Sequence, residues 1–449
     1  MLRDYQQEVY DNLKEQLKYF KRVICQMPCR SGKSYIMYEI CKDALKKNSN
    51  VLILAHRNLL LDQHRNLIDF PNVRITSRQT EVRHLGESGD VRIILTDECH
   101  LSAADTYKKI FDYYSNAVII GFTATPCRLD GRSLGEIYQR IVKGPTTKFL
   151  IEYGAISPFD HYAPRLNIDM NKVKVGDGDY NQKDLEEVML DSKIYGDIIS
   201  NYEKLAKGKQ AIAYCVSIKH AQEICDLFNA NGYTARCIHS KIGKKERNQI
   251  LEDFKDKKFT IIVSVDCISE GISLPSCEVC LMLRPTQSYA LYIQQGMRAL
   301  TPYPDKKAII IDYVGNIYRH GMVDSDEDFS LTERKRCKNP SGEPEVLVRV
   351  CKECLRTYPG TKPICPYCGA DNGKTKKQIE MEEQAELERI TAFEKKQKRM
   401  EVGMQDTFKG LVLIAKERGY AAGWCLHQAR LKRIPVDWDL YNKLKRGRL

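Results

Sequence analysis

The chain has 449 residues, 43% of them hydrophobic, and carries 71 Lys and Arg against 59 Asp and Glu, a net charge of +12. That length suits about three domains with sizeable cores, and the longest apolar runs, such as Ala308-Ile309-Ile310-Ile311, are too short to span a bilayer, so no membrane partner is expected. The basic excess favours a polyanionic partner, which points to nucleic acid.

The elements follow in chain order. Tyr5 to Phe20 has a helical pattern, a strand follows at 22–26, and Ser34 to Lys46 is helical again. Further short apolar runs at 51–55, 91–96 and 117–122 read as strands. Strands alternating with helices argue a parallel α/β sheet over residues 1–152. Residues 153–195 break the pattern and read as a connector. A second α/β unit, 196–323, opens at Gln210-Ala211-Ile212-Ala213-Tyr214. Its helix from Ile218 to Phe228 ends at Asn231-Gly232, a C-cap signal. Strands follow at 234–238, 259–265, 278–283 and 307–312.

Residues 324–345, with Asp324-Ser325-Asp326-Glu327-Asp328, read as a solvated linker. Residues 346–372 carry a cysteine cluster, and 373–449 read as a helical, basic region. Within it, 374–400 is rich in Lys, Glu and Gln and is expected to be helix. From 427 to 449, Arg430, Lys432, Arg433, Lys443, Lys445, Arg446 and Arg448 stand against Asp437 and Asp439, a local excess of five. These charges suit phosphate contact, whereas Trp424 and Trp438 are expected to pack.

Two motifs carry the chemistry. Met27-Pro28-Cys29-Arg30-Ser31-Gly32-Lys33-Ser34 follows the apolar Val23-Ile24-Cys25 and opens a helix, the strand–loop–helix context of a phosphate loop. Loop N–H groups and the helix N-terminus face the phosphates, Lys33 neutralises the outer ones, and the Ser34 hydroxyl suits Mg²⁺. Asp97-Glu98-Cys99-His100 follows a second apolar run. Asp97 at a strand end suits Mg²⁺ through water, and Glu98 can deprotonate the attacking water. The pair implies ATP and Mg²⁺ in a nucleoside triphosphatase.

Seventeen cysteines would suit disulfides, but a start, Met1-Leu2-Arg3-Asp4, without an apolar leader argues a reducing compartment, with most thiols buried as small apolar groups. Four are different. Cys351-Lys352-Glu353-Cys354 and Cys365-Pro366-Tyr367-Cys368-Gly369 are paired C-x-x-C knuckles. Cys351, Cys354, Cys365 and Cys368 would hold a structural Zn²⁺, with no position left open for catalysis.

The motif order resembles superfamily 2 helicases and translocases over most of the chain. Leu2-Arg3-Asp4-Tyr5-Gln6 resembles the Q-motif, which implies adenine recognition by Gln6 with Arg3 beside it. Leu52-Ile53-Leu54-Ala55-His56-Arg57 resembles motif Ia, with His56 and Arg57 on the nucleic-acid backbone. Thr123-Ala124-Thr125-Pro126 resembles motif III, whose Thr123 and Thr125 couple the two sites. Ser217, His239 and Ser264 fall at further nucleic-acid or coupling positions. Glu270-Gly271-Ile272-Ser273-Leu274-Pro275 resembles motif V, with Gly271 at the nucleotide, and Gln294-Gln295-Gly296-Met297-Arg298 resembles motif VI. The resemblance implies two tandem RecA-like domains that bind ATP in the cleft between them.

The chain departs from the family at several places. Met27 stands for the first loop glycine, Cys29 for threonine and Arg30 for another glycine. Ser273 stands for aspartate, Met297 for glycine, and Thr301 for the second motif VI arginine, which leaves Arg298 as the candidate finger on the γ-phosphate. Within the superfamily, Gly178-Asp179-Tyr180, Ser217-Ile218-Lys219-His220-Ala221, Arg284-Pro285-Thr286-Gln287-Ser288 and Gly419-Tyr420-Ala421-Ala422-Gly423-Trp424 are similar to the bacterial RadD-like repair helicases. That resemblance, with an analogy to the phage UvsW branch-migration helicase, implies an ATP-dependent enzyme on branched or forked DNA. It would act as a monomer in the cytoplasm of a bacterial or phage-infected cell, with a single-strand-binding protein as a further partner. An RNA helicase and a zinc-containing ATP switch with weak turnover are the alternatives. The DEAD-box RNA branch, however, has Asp-Glu-Ala-Asp at motif II, which is absent here.

Overall fold

The computed structural model describes residues 2–56, 58–102, 104–127, 134–164, 170–176, 179–191, 195–267, 274–325, 329–331, 348–360, 362–373 and 405–447. Arg57, Gly178, the stretch Glu270 to Ser273 with Gly271, most of the expected linker, the expected helix at 374–400 and Arg448 lie outside the described residues. The chain divides into two compact units, Met1–Asp371 and Asn372–Leu449.

In the first unit, β1 (Arg22–Gln26), β2 (Asn50–Ala55), β3 (Val73–Ser77), β4 (Val91–Asp97), β5 (Val118–Thr123) and β6 (Arg140–Lys143) form a sheet in the order β3-β2-β4-β5-β1-β6. Every pairing is parallel. Helices α1 (Asp4–Gln16), α2 (Lys33–Lys46), α3 (Asn58–Leu67), α4 (Arg78–Arg83), α5 (Asp105–Tyr113) and α6 (Thr147–Glu152) accompany these strands. Covering both faces demands apolar residues on both, which is why Val51 through Ala55 are all buried.

The second sheet repeats the plan. Its strands are β7 (Phe159–Tyr162), β10 (Ala211–Tyr214), β11 (Ala235–Ile238), β12 (Ile261–Ser264), β13 (Val279–Met282) and β14 (Ala308–Asp312). The order is β11-β12-β10-β13-β14-β7, again all parallel. A small hairpin, β8 (Val175–Gly176) and β9 (Asp179–Tyr180), precedes α7 (Gln182–Asp191) and α8 (Tyr195–Ala206). Helices α9 (Ile218–Ala230), α10 (Lys244–Lys255), α11 (Tyr289–Gly296) and α12 (Asn316–His320) complete the domain. The two sheets are the RecA-like pair.

The segment read as a connector therefore supplies an edge strand, β7, to the second sheet. Phe159-Asp160-His161-Tyr162 has no apolar run, and only its pairing with β14 identifies it. The two-stranded β15 (Val348–Val350) and β16 (Thr357–Pro359) carry the cysteine knuckles beside it.

The second unit has helices α13 (Phe408–Glu417), α14 (Ala422–Lys432) and α15 (Trp438–Lys445) around Phe408, Leu411, Val412, Ala415, Cys425 and Ala429. Trp424 packs on this core as expected. Trp438 does not: it is 61% exposed, edge-on to Tyr441. Among the described residues no helix is long and apolar enough to cross a membrane.

Candidate ATP site and metal centre

The phosphate loop leaves the C-terminal end of β1, Asp97 ends β4 and Thr123 ends β5, so three neighbouring strands deliver their motifs to one edge. Arg30 (φ +70°) and Gly32 (φ +85°) both adopt left-handed backbone, which curls the loop so that successive N–H groups converge. Gly32 is required twice, because a Cβ there would also overlap the Gln6 side-chain nitrogen. Gln6 is tied down at both ends. Its Oε1 accepts from Arg3 N at 2.9 Å and its Nε2 donates to Ser31 O at 2.9 Å. Met27 is fully buried, so the place of the usual glycine serves as core. Lys33 Nζ lies 3.2 Å from Met27 O and 3.4 Å from Pro28 O, folded onto its own loop.

Glu98 sits in left-handed backbone, φ 49° and ψ 56°, a conformation that costs a non-glycine residue about 1–3 kcal/mol. Its Oε2 accepts from Thr123 Oγ1 at 3.2 Å and lies 3.3 Å from His100 Nδ1. Thr123 Oγ1 in turn accepts from Thr125 N at 3.1 Å and meets His100 Nδ1 at 3.2 Å. The candidate base is thus wired to motif III, and His100, which had no assigned role, is part of the wire.

Asp97 has a partner that no motif announced. His64 Nε2, from α3, lies 2.9 Å from Asp97 Oδ2, while Asp97 Oδ1 accepts from Glu98 N at 3.0 Å. Burial pushes the Asp97 carboxyl up, but His64 and Lys33 more than offset it, so the group ends below the usual carboxylate range. Nothing in the sequence of α3, Asn58–Leu67, distinguishes His64. Only the fold brings it to Asp97.

From the other domain, α11 and the turn after it carry Gln294, Met297 and Arg298 to the same place. One cavity of about 640 Å³ is lined by Cys29, Arg30, Lys33, Ser34, Asp97 and Glu98 on one side and by Gln294 and Arg298 on the other. Across it, Lys244 Nζ on α10 meets Asp62 Oδ2 on α3 at 3.2 Å. The entry to α11 is braced by the β8–β9 hairpin: Asp179 accepts from Thr286 Oγ1 at 2.9 Å and Gln287 N at 2.7 Å, and Gln287 Nε2 donates to Tyr180 Oη at 2.7 Å. Two segments singled out in the sequence therefore meet.

The remaining expected positions that are described do not line this cavity. His56 follows β2 and is half-buried, Ser217 caps α9 by accepting from His220 N at 3.2 Å, Ser264 ends β12 fully buried, and His239 follows β11.

The four cysteine thiols of the knuckles lie within 4.8 Å of one another, with Cys351 and Cys368 sulfurs 3.5 Å apart and Cys354 and Cys365 sulfurs 3.8 Å apart. A tetrahedron with 2.3 Å metal–sulfur bonds has edges of about 3.8 Å. The donor set fits such an ion. Both knuckles share one bonding pattern: Cys351 N donates to Arg356 O and Leu355 N to Cys351 O, as Cys365 N donates to Ala370 O and Gly369 N to Cys365 O. The cluster is clamped to β7. Arg356 donates to Asp160 Oδ2 at 2.9 Å and Tyr162 Oη at 3.0 Å, Thr357 Oγ1 donates to His161 O, and Ala163 N donates to Leu355 O.

Comparison with known proteins agrees with this geometry. Residues 1–82 and 68–128 match the family of the type III restriction enzyme res subunit, and 193–301 match the helicase conserved C-terminal domain. A 51.5 kDa protein of a Lactococcus phage is 33% identical over 372 residues, covering 81% of each chain. The chain belongs to the superfamily 2 helicases. A putative ATP-dependent helicase of Saccharomyces cerevisiae, IRC3, is 26% identical over 70% of this chain, which spans about half of that longer protein, 52%. The fold is also that of an HsdR fragment of a Vibrio vulnificus type I restriction enzyme, at 20% identity and a TM-score of 0.58, covering 76% of this chain and 67% of that one. As a member of this superfamily the chain is a nucleic-acid-dependent ATPase.

Proposed function

We propose that this helicase translocates on DNA and remodels branched structures such as forks and junctions. The observation that carries this reading is the shared cavity, in which the Lys33, Asp97 and Glu98 side chains of one domain face Gln294 and Arg298 of the other. ATP is the substrate. Lys33 neutralises its outer phosphates, and Ser34 with Asp97 would hold Mg²⁺, which would offset charge on the phosphate oxygens. Glu98 takes a proton from water as the water oxygen bonds to the γ-phosphorus. The bond to the bridging oxygen breaks, and ADP and phosphate leave. Arg298 steadies the developing charge, so chemistry and domain closure are one event. Gln6 and Arg3 serve the adenine end, with Pro28, Cys29, Ser31 and Gly271 at the nucleotide.

His56, Arg57, Ser217, His239 and Ser264 form the track for the strand, with Thr123 and Thr125 as its link to Glu98. Domain boundaries near 152, 195, 323 and 372 follow from the same reading. Cys351, Cys354, Cys365 and Cys368 hold a structural Zn²⁺, and the ribbon extends the second domain through β7. In the C-terminal unit, exposed Arg430, Arg433, Lys445 and Arg446 suit phosphates, and exposed Trp438 suits a base. The working form is a monomer in bacterial or phage-infected cytoplasm, with a single-strand-binding protein as a docking partner on the same DNA.

The test is ATP turnover with single-stranded, duplex, forked and four-way DNA and with RNA, side by side. Largest stimulation by forked and four-way DNA is expected. Preference for RNA would move the reading to an RNA helicase. Binding without stimulated turnover would move it to an ATP switch.

A further inference from the structure

The phosphate loop holds a cation that the reading above leaves without a task. Arg30 adopts φ +70°, where an L side chain is strained and glycine is not. It lines the same cavity as Arg298, together with Lys33, Asp97 and Glu98. The two guanidinium groups come from opposite domains. On the far side Arg298 is alone among the described lining residues in carrying positive charge. Thr301, one turn further on, is buried, its hydroxyl donates to Arg298 O, and its carbonyl is taken by Lys306 Nζ at 2.7 Å and Ser157 Oγ at 3.2 Å. Thr301 itself therefore presents no second cation from that position.

We propose that Arg30 contacts the γ-phosphate of ATP and, with Arg298, forms a two-sided guanidinium clamp across the domain cleft. The inference rests on the ATP-site reading. Two like charges facing each other oppose closure, and an anion between them removes that opposition. A triphosphate therefore draws the domains together, whereas the diphosphate, lacking the γ-group, does not. The electrostatics agree with this: burial, and after it Arg298, lowers the Arg30 guanidinium to about 9. Strained backbone at a functional position, tolerated where glycine would cost nothing, is the signature of a side chain retained for its chemistry.

The variant that tests this is benign to the fold, since φ +70° is a conformation glycine prefers. Arg30→Gly is expected to melt at or above the wild-type temperature. Its kcat in saturating DNA should fall by roughly a hundredfold, the scale of removing one transition-state donor. Binding of ADP with aluminium fluoride, which mimics the transferring phosphoryl group, should weaken by a similar factor, with ADP affinity unchanged. Arg30→Lys should recover part of kcat, because charge returns without the planar fork. Wild-type kcat in Arg30→Gly, or equal loss of ADP and ADP–aluminium fluoride binding, overturns the clamp. Lys33→Ala, measured alongside, separates the two claims: an inactive Lys33→Ala with an active Arg30→Gly removes the clamp alone, whereas an active Lys33→Ala removes the ATP-site reading itself.

Discussion

The paired sheets and the cysteine ribbon are both recognisable by spacing, yet different forces hold them. Every residue of β10, β12, β13 and β14 is buried, and the strands run into one continuous apolar core. Among the described residues of the ribbon, Cys351, Tyr358 and Cys365 form the buried cluster, and two of the three are candidate metal ligands. Apolar area grows into stability at about 25 cal/mol per Å², so the sheets support themselves while the ribbon would depend on the Zn²⁺ proposed for its four cysteines. The motor should tolerate loss of the ribbon, and the ribbon should not tolerate loss of its metal.

The largest effect that bears on the contrast is chemical. Glu98→Gln should leave ATP binding and ribbon zinc intact and slow hydrolysis roughly 10²–10⁴-fold, the usual worth of a positioned base. Unchanged hydrolysis would remove Glu98 from that role. Cys365→Ser should do the converse, abolishing bound zinc and weakening branched-DNA binding, while ATP turnover without DNA persists. Metal analysis of the purified protein together with DNA-free turnover reads both halves. Zinc-free protein with intact DNA-stimulated turnover would break the division of labour.

Acid should separate the two regions next. His161 and His220 are buried in the second domain, where desolvation pushes their pKa from 6.5 down to about 3 and about 4. The unfolded chain therefore binds protons below pH 6.5 that the folded one refuses. Stability from these groups is complete above pH 6.5 and falls as pH drops toward the folded values. Between pH 6.5 and 5 each contributes a loss of about 2 kcal/mol, at 1.36 kcal/mol per pH unit. Thermal melts from pH 7 to 5 should show this, and His161→Phe should flatten the slope. A pH-independent melting temperature would mean that water reaches both rings.

What the sequence made legible follows the same division. Strands buried on both faces announce themselves as apolar runs; the ends of β4 and β5 fall on Asp97 and Thr123, and the loop after β1 leads to Lys33 at the start of α2. Contacts that depend on tertiary pairing left no such mark. β7 reads as a connector because an edge strand with Asp160 and His161 lacks an apolar run. His64 meets Asp97 only because α3 returns over the end of β4, and Asp179 meets Thr286 across more than a hundred residues. Trp438 looks like core by residue type, but α15 buries none of its residues below the surface and leaves the indole outside.

The smallest effect tests the ribbon's internal symmetry. Gly369 and Leu355 occupy matching places, each just after the second cysteine of its knuckle, at φ +76° and +61°. Space beside Gly369 is open, so Gly369→Ala meets no atom and carries only the left-handed backbone penalty, about 1–2 kcal/mol. Leu355 already bears that penalty, and it is half-buried against the main core. Leu355→Gly removes the strain but also removes the whole side chain, which is half-buried, where full burial is worth about 1.5–3 kcal/mol. Glycine's extra freedom in the unfolded chain costs about 0.5–1 kcal/mol more. Strain relief and the two losses nearly cancel, with a small net destabilisation. Zinc retention against a chelator should therefore fall clearly in Gly369→Ala and by less in Leu355→Gly. Protection of β16 amides from hydrogen exchange should fall more in Leu355→Gly, because that leucine seats the ribbon on the second domain. The opposite ranking would mean that Leu355 serves the metal loop and not the contact with the motor.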